Sequence, residues 1–389
     1  MNHMHDFQLM SGNHAVAWGV KLARPDVAPV YPITPQTPIL EKMTEFHSRG
    51  ELDTELITPE SEHSAMSACI GASLTGARVF TATSSQGLLL MHELLHYAAG
   101  ARASIVMFNV NRTPASPWGF WPDQLDSLAQ RDTGWVQLYS ESPQESLDTV
   151  IQAFRIAESL SLPTMVSHDA FYVSHAVEAV EVPPADAVTE FLGDFEPALR
   201  IDTELGRSFG APINQATWNL SRRDMAAAMA KVHDVVSETG RAWGELTSRA
   251  YGPLEFYRTD DAEVIIVTMG SMCGTVRDAV DELRRQRIAA GLLKVRQFRP
   301  LPVTELRQAL DRDLHAAKSV VVLDRNYSPG MGGILHQELK AALYGLQNAP
   351  ALHGFLAGVG GVNVSSEKIQ RLASDCRDAD PMVESQWLE

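Results

Sequence analysis

The stretch "YPITPQTPILE" at residues 31–41 indicates how the first half of the chain is built. It continues an apolar run, "VAPVYPI", that begins at residue 27, and it passes through two proline turns into the segment "ILEKMTEF". This order predicts a buried strand, a turn and a helix. Open α/β sheets bind ligands at the carboxyl edge of their strands, so the polar side chains of this stretch are candidates for a binding site. The alternative is that the stretch is only a rigid turn.

Three further runs are predicted to be strands of the same kind. They are apolar and continuous rather than alternating, which is typical of parallel strands covered on both faces. The three runs are "ARVFTAT" (77–83), "ASIVMFNV" (103–110) and "PTMVSHD" (163–169). Helix starts are predicted where a hydroxyl residue precedes a proline, at Thr37, Thr58 and Ser142. The alternation of strands and helices predicts an α/β fold with a parallel sheet.

The chain is predicted to have two such domains. Residues 1–177 form the first. Residues 178–260 contain prolines and glycines without sustained periodicity and are predicted to be a connector, with one long helix at 221–246. Residues 261–389 form the second α/β domain. Its predicted strands are 263–270, 290–297 and 319–324, and its predicted helices are 275–287, 302–310 and 330–343.

Composition excludes several classes of protein. The 389 residues have a formal charge of −16, which argues against a nucleic-acid or anionic-membrane surface. The first ten residues lack the pattern of a signal peptide, and no apolar run is long enough to span a bilayer. The three cysteines stand singly, which is not the spacing of a disulfide framework, a structural zinc site or an iron–sulfur site. We therefore expect a cytoplasmic protein.

The segment "HELLH" at residues 92–96 has the spacing of a zinc-protease helix. A catalytic zinc needs a third protein ligand. The positions where a metzincin would have its glycine and third histidine are Ala99 and Arg102. The segment follows a strand and the turn "TSSQG", so it is predicted to be a crossover helix with two incidental histidines on a partly buried face. We predict no metal site in this chain.

The order of motifs resembles the α subunit of the thiamine-diphosphate-dependent 2-oxoacid:ferredoxin oxidoreductases. The resemblance covers most of the chain and implies a thiamine-diphosphate pyrimidine-binding-type domain followed by a transketolase C-terminal-like domain. It rests on "YPITP", "ESEHSAMSACIGAS", "FTATSSQGLLLMHELLHYAAGAR", "NVNR", "SLAQRDTGW", "VIIVTMGSMCGTVRDAV", "KVRQFRPLP", "VVLDRNYSPGMGG" and "FLAGVGGVNV".

The resemblance implies roles for two residues toward the cofactor. Thiamine chemistry requires a carboxyl group on the pyrimidine nitrogen N1′, so that the aminopyrimidine can remove the thiazolium C2 proton. The family motif places this carboxyl group at Glu62, in "ESEHSA", and places Pro32 against the pyrimidine. Judged without the resemblance, Glu62 would only complement the amino end of a helix, as most first-turn glutamates do.

The resemblance also implies how the substrate is held. A guanidinium group can bind a carboxylate through two hydrogen bonds, and a hydroxyl group can add another donor. The family motifs place these groups at Arg112 and Thr34. Both residues follow predicted strands at the same sheet edge, so they could converge; the alternative for Arg112 is an ordinary surface arginine.

Two absences imply partner chains. The sequence has no Gly-Asp-Gly motif followed by asparagine, which holds Mg²⁺ and the diphosphate, and no cysteine cluster. The resemblance assigns these to a β subunit that binds thiamine diphosphate and Mg²⁺, and to a ferredoxin-like δ subunit. A γ subunit completes the complex, which is expected to be a dimer of hetero-oligomers that uses coenzyme A and is inactive without its partners. The turn "SPGMGG" (328–333) is interpreted as a tight turn at a subunit interface rather than a phosphate loop.

The identity of the 2-oxoacid stays open. Many pyruvate-type members have Gly-Asp-His after the arginine, whereas this chain has "SPWGFWPDQLD" at 116–126. Buried aromatic residues in this loop would line an apolar pocket suited to a branched or aromatic side chain as well as to pyruvate, or they would only pack the loop onto the sheet. Two other hypotheses are a subunit of a different thiamine enzyme and a non-catalytic interaction protein with the same fold.

Overall fold

The protein is a mixed α/β structure with two large, mainly parallel sheets. A computed structural model describes residues 6–197, 199–313 and 315–388. The predicted fold class is confirmed. The prediction that no signal peptide is present falls partly on residues 1–5, which lie outside the described residues.

The first part of the chain supplies most of one sheet and a two-stranded ribbon. Its elements are β1 (Asp6–Ser11), α1 (Gly12–Ala23), β2 (Val27–Pro29), α2 (Thr37–Ser48), β3 (Glu55–Ile57), α3 (Glu62–Thr75), β4 (Val79–Thr83), α4 (Ser85–Leu90), α5 (His92–Gly100), β5 (Ile105–Asn111), α6 (Leu125–Leu128), β6 (Val136–Tyr139), α7 (Pro143–Leu160), β7 (Thr164–Asp169), β8 (Val177–Val182), α8 (Ala185–Leu192), α9 (Gln215–Met229) and α10 (Val232–Thr247).

The remaining elements build the second sheet and add one strand, β12, to the first. They are β9 (Leu254–Tyr257), β10 (Val264–Thr268), α11 (Met272–Arg285), β11 (Ala290–Val295), β12 (Gln297–Arg299), α12 (Val303–Ala309), β13 (Ser319–Asp324), α13 (Ile334–Leu343), β14 (Ala351–Leu356), α14 (Ser366–Cys376) and β15 (Gln386–Trp387).

The first sheet has the strand order β12-β6-β7-β5-β4-β2-β3, and β12 is its only antiparallel member among the described residues. Strands β4, β5 and β7 are buried along their whole length. Helices cover both faces, so these strands need apolar side chains in both directions, which explains their continuous apolar sequence. The carboxyl ends of β2, β4 and β5 therefore meet at one edge.

The second sheet has the order β15-β14-β13-β10-β11-β9, with β9 antiparallel. It is tied to the first sheet in two ways. Strand β12, which follows β11 of the second sheet in the chain, pairs with β6 of the first sheet. On β11, Lys294 is buried, and its Nζ lies 2.8 Å from Oε2 of Glu145 at the start of α7. Because a buried charge is costly unless it is paired, this contact favours one relative arrangement of the two sheets.

Several predicted details were wrong. The prediction of one helix at 221–246 fails because the structure has two helices, α9 and α10, broken near Lys231. The predicted helix start at Thr58 fails because α3 begins after Ser61, whose hydroxyl accepts from the Ser64 amide. Helix α2 starts after Gln36 rather than after Thr37. The start at Ser142 is confirmed, since its hydroxyl accepts from the amide of Glu145.

The predicted connector is more structured than expected. Its beginning forms β8, which pairs with the first strand of the chain in antiparallel fashion, and helix α8 packs near α1. The short strands β1, β3, β6 and β8 were not predicted. The division into 1–177, 178–260 and 261–389 stays a prediction.

Candidate active site at the carboxyl edge of the first sheet

Glu62 is the first residue of α3, and its side chain is buried with 7% exposure. Among the described residues, no hydrogen-bond donor or cation pairs with its carboxylate. The hydroxyl of Thr83, at the end of β4, is also buried without a hydrogen-bond partner. A buried carboxylate normally has partners, so a group without them at a sheet edge is a candidate for binding a ligand.

The close neighbour of this carboxylate is the backbone of Gly87 in α4. A Cβ atom at Gly87 would lie 2.5 Å from both Oε1 of Glu62 and Oγ1 of Thr83. A real Cβ cannot occupy that position without displacing these groups. Glycine is therefore required here for close approach.

Arg112 follows β5 directly, and only 4% of it is exposed. Its Nη1 donates to the carbonyl oxygen of Thr34 at 2.5 Å, and its Nη2 donates to Oε1 of Gln86. Its Nε is buried and has no partner in the described chain. The structure thus brings Arg112 and Thr34 together. The contact uses the carbonyl group of Thr34, whose side chain is exposed at the site.

The pKa of Arg112 depends on its burial and on two nearby carboxylates. Burial lowers the pKa of the Arg112 guanidinium, and the negative charges of Asp126 and Glu62 oppose that shift. The charge of Glu62 is thus near enough to act on the arginine. Pro32 lies in the loop between β2 and α2 and is exposed.

The aromatic residues of the loop after Arg112 divide into two groups. The ring centroids of Trp118 and Phe120 lie 4.9 and 5.9 Å from the Arg112 guanidinium carbon. Both rings are about half exposed, so neither is a buried aromatic residue that would line an apolar pocket. Trp121 instead packs against Phe171, with ring centroids 5.3 Å apart.

Asp126 is a buried residue of this site that the sequence analysis missed. Its Oδ2 accepts from the amides of Ser85 at 2.9 Å and Arg112 at 3.2 Å, and from the Asn109 side chain at 3.2 Å. Burial raises its pKa to about 7, against the opposing effect of these hydrogen bonds. One carboxylate thus joins the turn after β4 to the end of β5. In the sequence analysis it appeared only as the last residue of the loop "SPWGFWPDQLD", without a role of its own.

The "HELLH" histidines lie on α5, and both are exposed, so the prediction of a partly buried face was wrong. Nδ1 of His92 lies 2.5 Å from Oε1 of Gln130. In the parts of the chain that the structure describes, no group of three or more potential metal ligands occurs.

The turn at 328–333 does not offer a free helix end. Asp324 accepts from the amides of Leu335 and His336 at 2.9 and 3.0 Å, and Asn326 accepts from the amide of Ile334 at 3.0 Å. Since these are the amides that would bind a phosphate, the turn is an internally capped helix start. This agrees with its interpretation as a tight turn.

Comparison with known proteins decides the family. Residues 18–241, which include Pro32, Thr34, Glu62 and Arg112, match the family described as pyruvate flavodoxin/ferredoxin oxidoreductase, thiamine diphosphate-binding. The chain belongs to this family. Residues 262–369 match pyruvate:ferredoxin oxidoreductase core domain II. The resemblance seen in the sequence and the assignment to an oxidoreductase family are confirmed.

Similar proteins include a ketoisovalerate oxidoreductase subunit and a pyruvate synthase subunit. The chain is 46% identical over 372 residues to ketoisovalerate oxidoreductase subunit VorA of Pyrococcus abyssi, covering 95% of this chain and 93% of that protein. It is 43% identical over 383 residues to pyruvate synthase subunit PorA of Methanothermobacter thermautotrophicus, covering 98% and 97%.

Two solved structures share the fold. A 2-oxoglutarate:ferredoxin oxidoreductase from Magnetococcus marinus matches with a TM-score of 0.74 at 20% identity, over 95% of this chain and 65% of that chain. This chain thus spans about two thirds of that protein. A split-gene transketolase matches with a TM-score of 0.55 at 12% identity, over 94% and 97% of the two chains.

Proposed function

We propose that this chain is the α subunit of a coenzyme A-acylating 2-oxoacid oxidoreductase. The complex would oxidatively decarboxylate a 2-oxoacid to acyl-CoA and CO₂ and pass the electrons through iron–sulfur clusters to ferredoxin or a related acceptor. The observation that carries the proposal is that one sheet edge holds both a buried carboxylate without a partner among the described residues, Glu62, and the buried guanidinium of Arg112. The relatives named above are subunits with such activities.

The residues at this edge fit the pyrimidine half of thiamine diphosphate. When bound, the cofactor supplies the carbanion that attacks the ketone carbon. Glu62 would hold a proton at the pyrimidine nitrogen, because its carboxylate has no other donor among the described residues. The unpartnered hydroxyl of Thr83 beside it supports a polar ligand at this point. Pro32 would contact the pyrimidine through its shape alone.

Arg112 would bind the carboxylate of the 2-oxoacid, with the hydroxyl of Thr34 as a second donor. A guanidinium has five N–H donors, and two of the Arg112 donors are used by Thr34 and Gln86. The remaining donors suffice for a carboxylate. Because the group is buried, an ionic hydrogen bond there is stronger than at the surface.

The partners follow from what this chain lacks. Its three cysteines are buried and unpaired, so iron–sulfur clusters would belong to other chains. We propose a β subunit that binds Mg²⁺ and the diphosphate, a γ subunit and a ferredoxin-like δ subunit, assembled as a dimer of hetero-oligomers in the cytoplasm.

Leu89 and Leu90 of α4 are 37% and 51% exposed next to the site, which supports a protein partner on this face. No described helix is long and apolar enough to cross a membrane.

The substrate is proposed to be pyruvate or a branched or aromatic 2-oxoacid. The decisive experiment is affinity purification from the native host, with identification of the co-purifying chains and of the bound cofactor. A thiamine-type β chain and a ferredoxin-like chain are expected, with thiamine diphosphate retained only by the assembled complex. A protein that purifies alone with zinc would contradict the proposal.

A further inference from the structure

The orientation of the Gln86 side-chain amide follows from its hydrogen bond with Arg112. It lies in the first turn of α4, and its Oε1 accepts hydrogen bonds from Nη2 of Arg112 and from Oγ of Ser85. Arginine can only donate, so the amide atom that faces Arg112 must be the oxygen. The amide nitrogen is therefore directed away from the guanidinium.

This nitrogen is an unused donor. In the part of the chain that the structure describes, Nε2 of Gln86 donates to no residue, and the side chain is only partly buried. The neighbouring residue in the chain, Gly87, lies against the carboxylate of Glu62. Gln86 therefore contacts Arg112 directly and precedes in the chain the residue whose backbone lies beside Glu62, and no described residue uses its two amide N–H donors.

We propose that Gln86 is a further substrate-binding residue, whose Nε2 donates a hydrogen bond to an oxygen of the 2-oxoacid held by Arg112. This rests on the proposed function. A 2-oxoacid has three acceptor oxygens, two on the carboxylate and one on the ketone. The Arg112 donors that are not used by Thr34 and Gln86 can bind the carboxylate, and the amide of Gln86 beside it can donate one further hydrogen bond to the same molecule.

The competing explanation is that Gln86 only positions Arg112. A double-mutant cycle separates the two, because a residue that acts through Arg112 has no effect once Arg112 is removed. The four proteins are the wild type, Gln86→Met, Arg112→Ala and the double variant, each in the assembled complex. Methionine is close to glutamine in size but has neither the amide donor nor its acceptor.

The measurements are the dissociation constant of oxamate, an unreactive isostere of pyruvate, by calorimetry, and kcat/KM for the 2-oxoacid. Gln86→Met should raise the dissociation constant of oxamate and lower kcat/KM, each by roughly tenfold, as expected for a hydrogen bond to a charged oxygen. In the Arg112→Ala background it should still lower kcat/KM several-fold. Gln370→Met is the matched control, since this partly exposed glutamine of α14 lies in the second domain; no change is expected.

The outcomes are distinguishable. If Gln86→Met has no effect alone, or none in the Arg112→Ala background, Gln86 does not bind substrate and this inference is overturned. If Arg112→Ala itself leaves oxamate affinity and kcat/KM unchanged, the proposed substrate site fails instead. Thermal unfolding and subunit content of each complex show whether a loss reflects misfolding.

Discussion

The backbone of Gly87 lies against the carboxylate of Glu62, at a distance that leaves no room for a side chain. A Cβ at Gly87 would lie 2.5 Å from both Oε1 of Glu62 and Oγ1 of Thr83. A methyl group at this position would have to displace the Glu62 carboxylate and the Thr83 hydroxyl, or shift α4 itself.

Gly87→Ala should lower 2-oxoacid-dependent activity strongly. The added methyl group must displace the Glu62 carboxylate or shift α4, and overpacking of this kind costs about 1–3 kcal/mol. Activity and thermal unfolding of the assembled complex are the measurements. Gly71→Ala, on the same helix as Glu62, is the control: a Cβ there meets nothing within 4 Å, so full activity and slightly higher stability are expected. Equal activity of the two variants would contradict the close contact.

Glu62→Ala should leave folding and assembly intact and nearly abolish acceptor reduction, because the proton at the pyrimidine nitrogen would no longer be held. Glu60→Ala is the matched control, since Glu60 is an exposed residue that contacts Ser64. Steady-state assays with each purified complex test this. Retention of more than a few per cent of activity by the Glu62 variant would remove it from the proposed cofactor site.

Arg112→Ala should lower kcat/KM by roughly ten- to a few hundred-fold, because an ionic hydrogen bond in a closed site is worth about 1.5–3 kcal/mol. The loss should appear mostly in KM if the contact is equal in the ground and transition states. Arg112→Lys should recover only part of it, since an ammonium group cannot reproduce the planar fork.

The Arg112 comparison needs several 2-oxoacids and a control. Losses should be similar for all substrates, because they share the carboxylate; a loss confined to one would mean that Arg112 contacts the side chain. Arg222→Ala serves as control, since this arginine also stacks on a tryptophan, Trp218, at 4.2 Å, but does so on α9.

Asp126→Asn should flatten the dependence of stability on pH between about 4 and 7. Burial raises the pKa of Asp126 to about 7 in the folded protein, whereas the unfolded value is about 4. In the folded state Asp126 keeps its proton over this range, whereas in the unfolded state it loses the proton. The contribution of Asp126 to the free energy of unfolding therefore falls as pH rises. Denaturant titrations of both proteins at several pH values measure the difference. Identical slopes for the wild type and the variant would show that Asp126 is ionised throughout.

Replacing His92 and His96 together by alanine should leave metal content and activity unchanged. Both side chains are exposed on α5, and no third ligand lies with them in the described chain. Elemental analysis of the purified protein, before and after chelation, is the test. One zinc per chain that is lost in the variant would reverse this conclusion.

The fold class and the family could both be predicted from the sequence. Strands β4, β5 and β7 were predictable because they are buried on both faces and consist of uninterrupted apolar residues. The short strands were not, because β3, with three residues, and β6, with four, are too brief for any periodicity. The cap at Ser142 was predictable because its hydrogen bond is local, three residues along the chain.

Only the tertiary structure decided how the site is assembled. Glu62, Thr34 and Arg112 were candidates from their motifs, but the use of the Thr34 carbonyl to hold Arg112 joins residues 78 positions apart. The contacts of Gln86 and Asp126 with Arg112 likewise join helices α4 and α6 to the end of β5. Local sequence patterns predict helix caps and buried strands. Hydrogen bonds between loops depend instead on the register and stacking of the whole sheet, which no single segment determines.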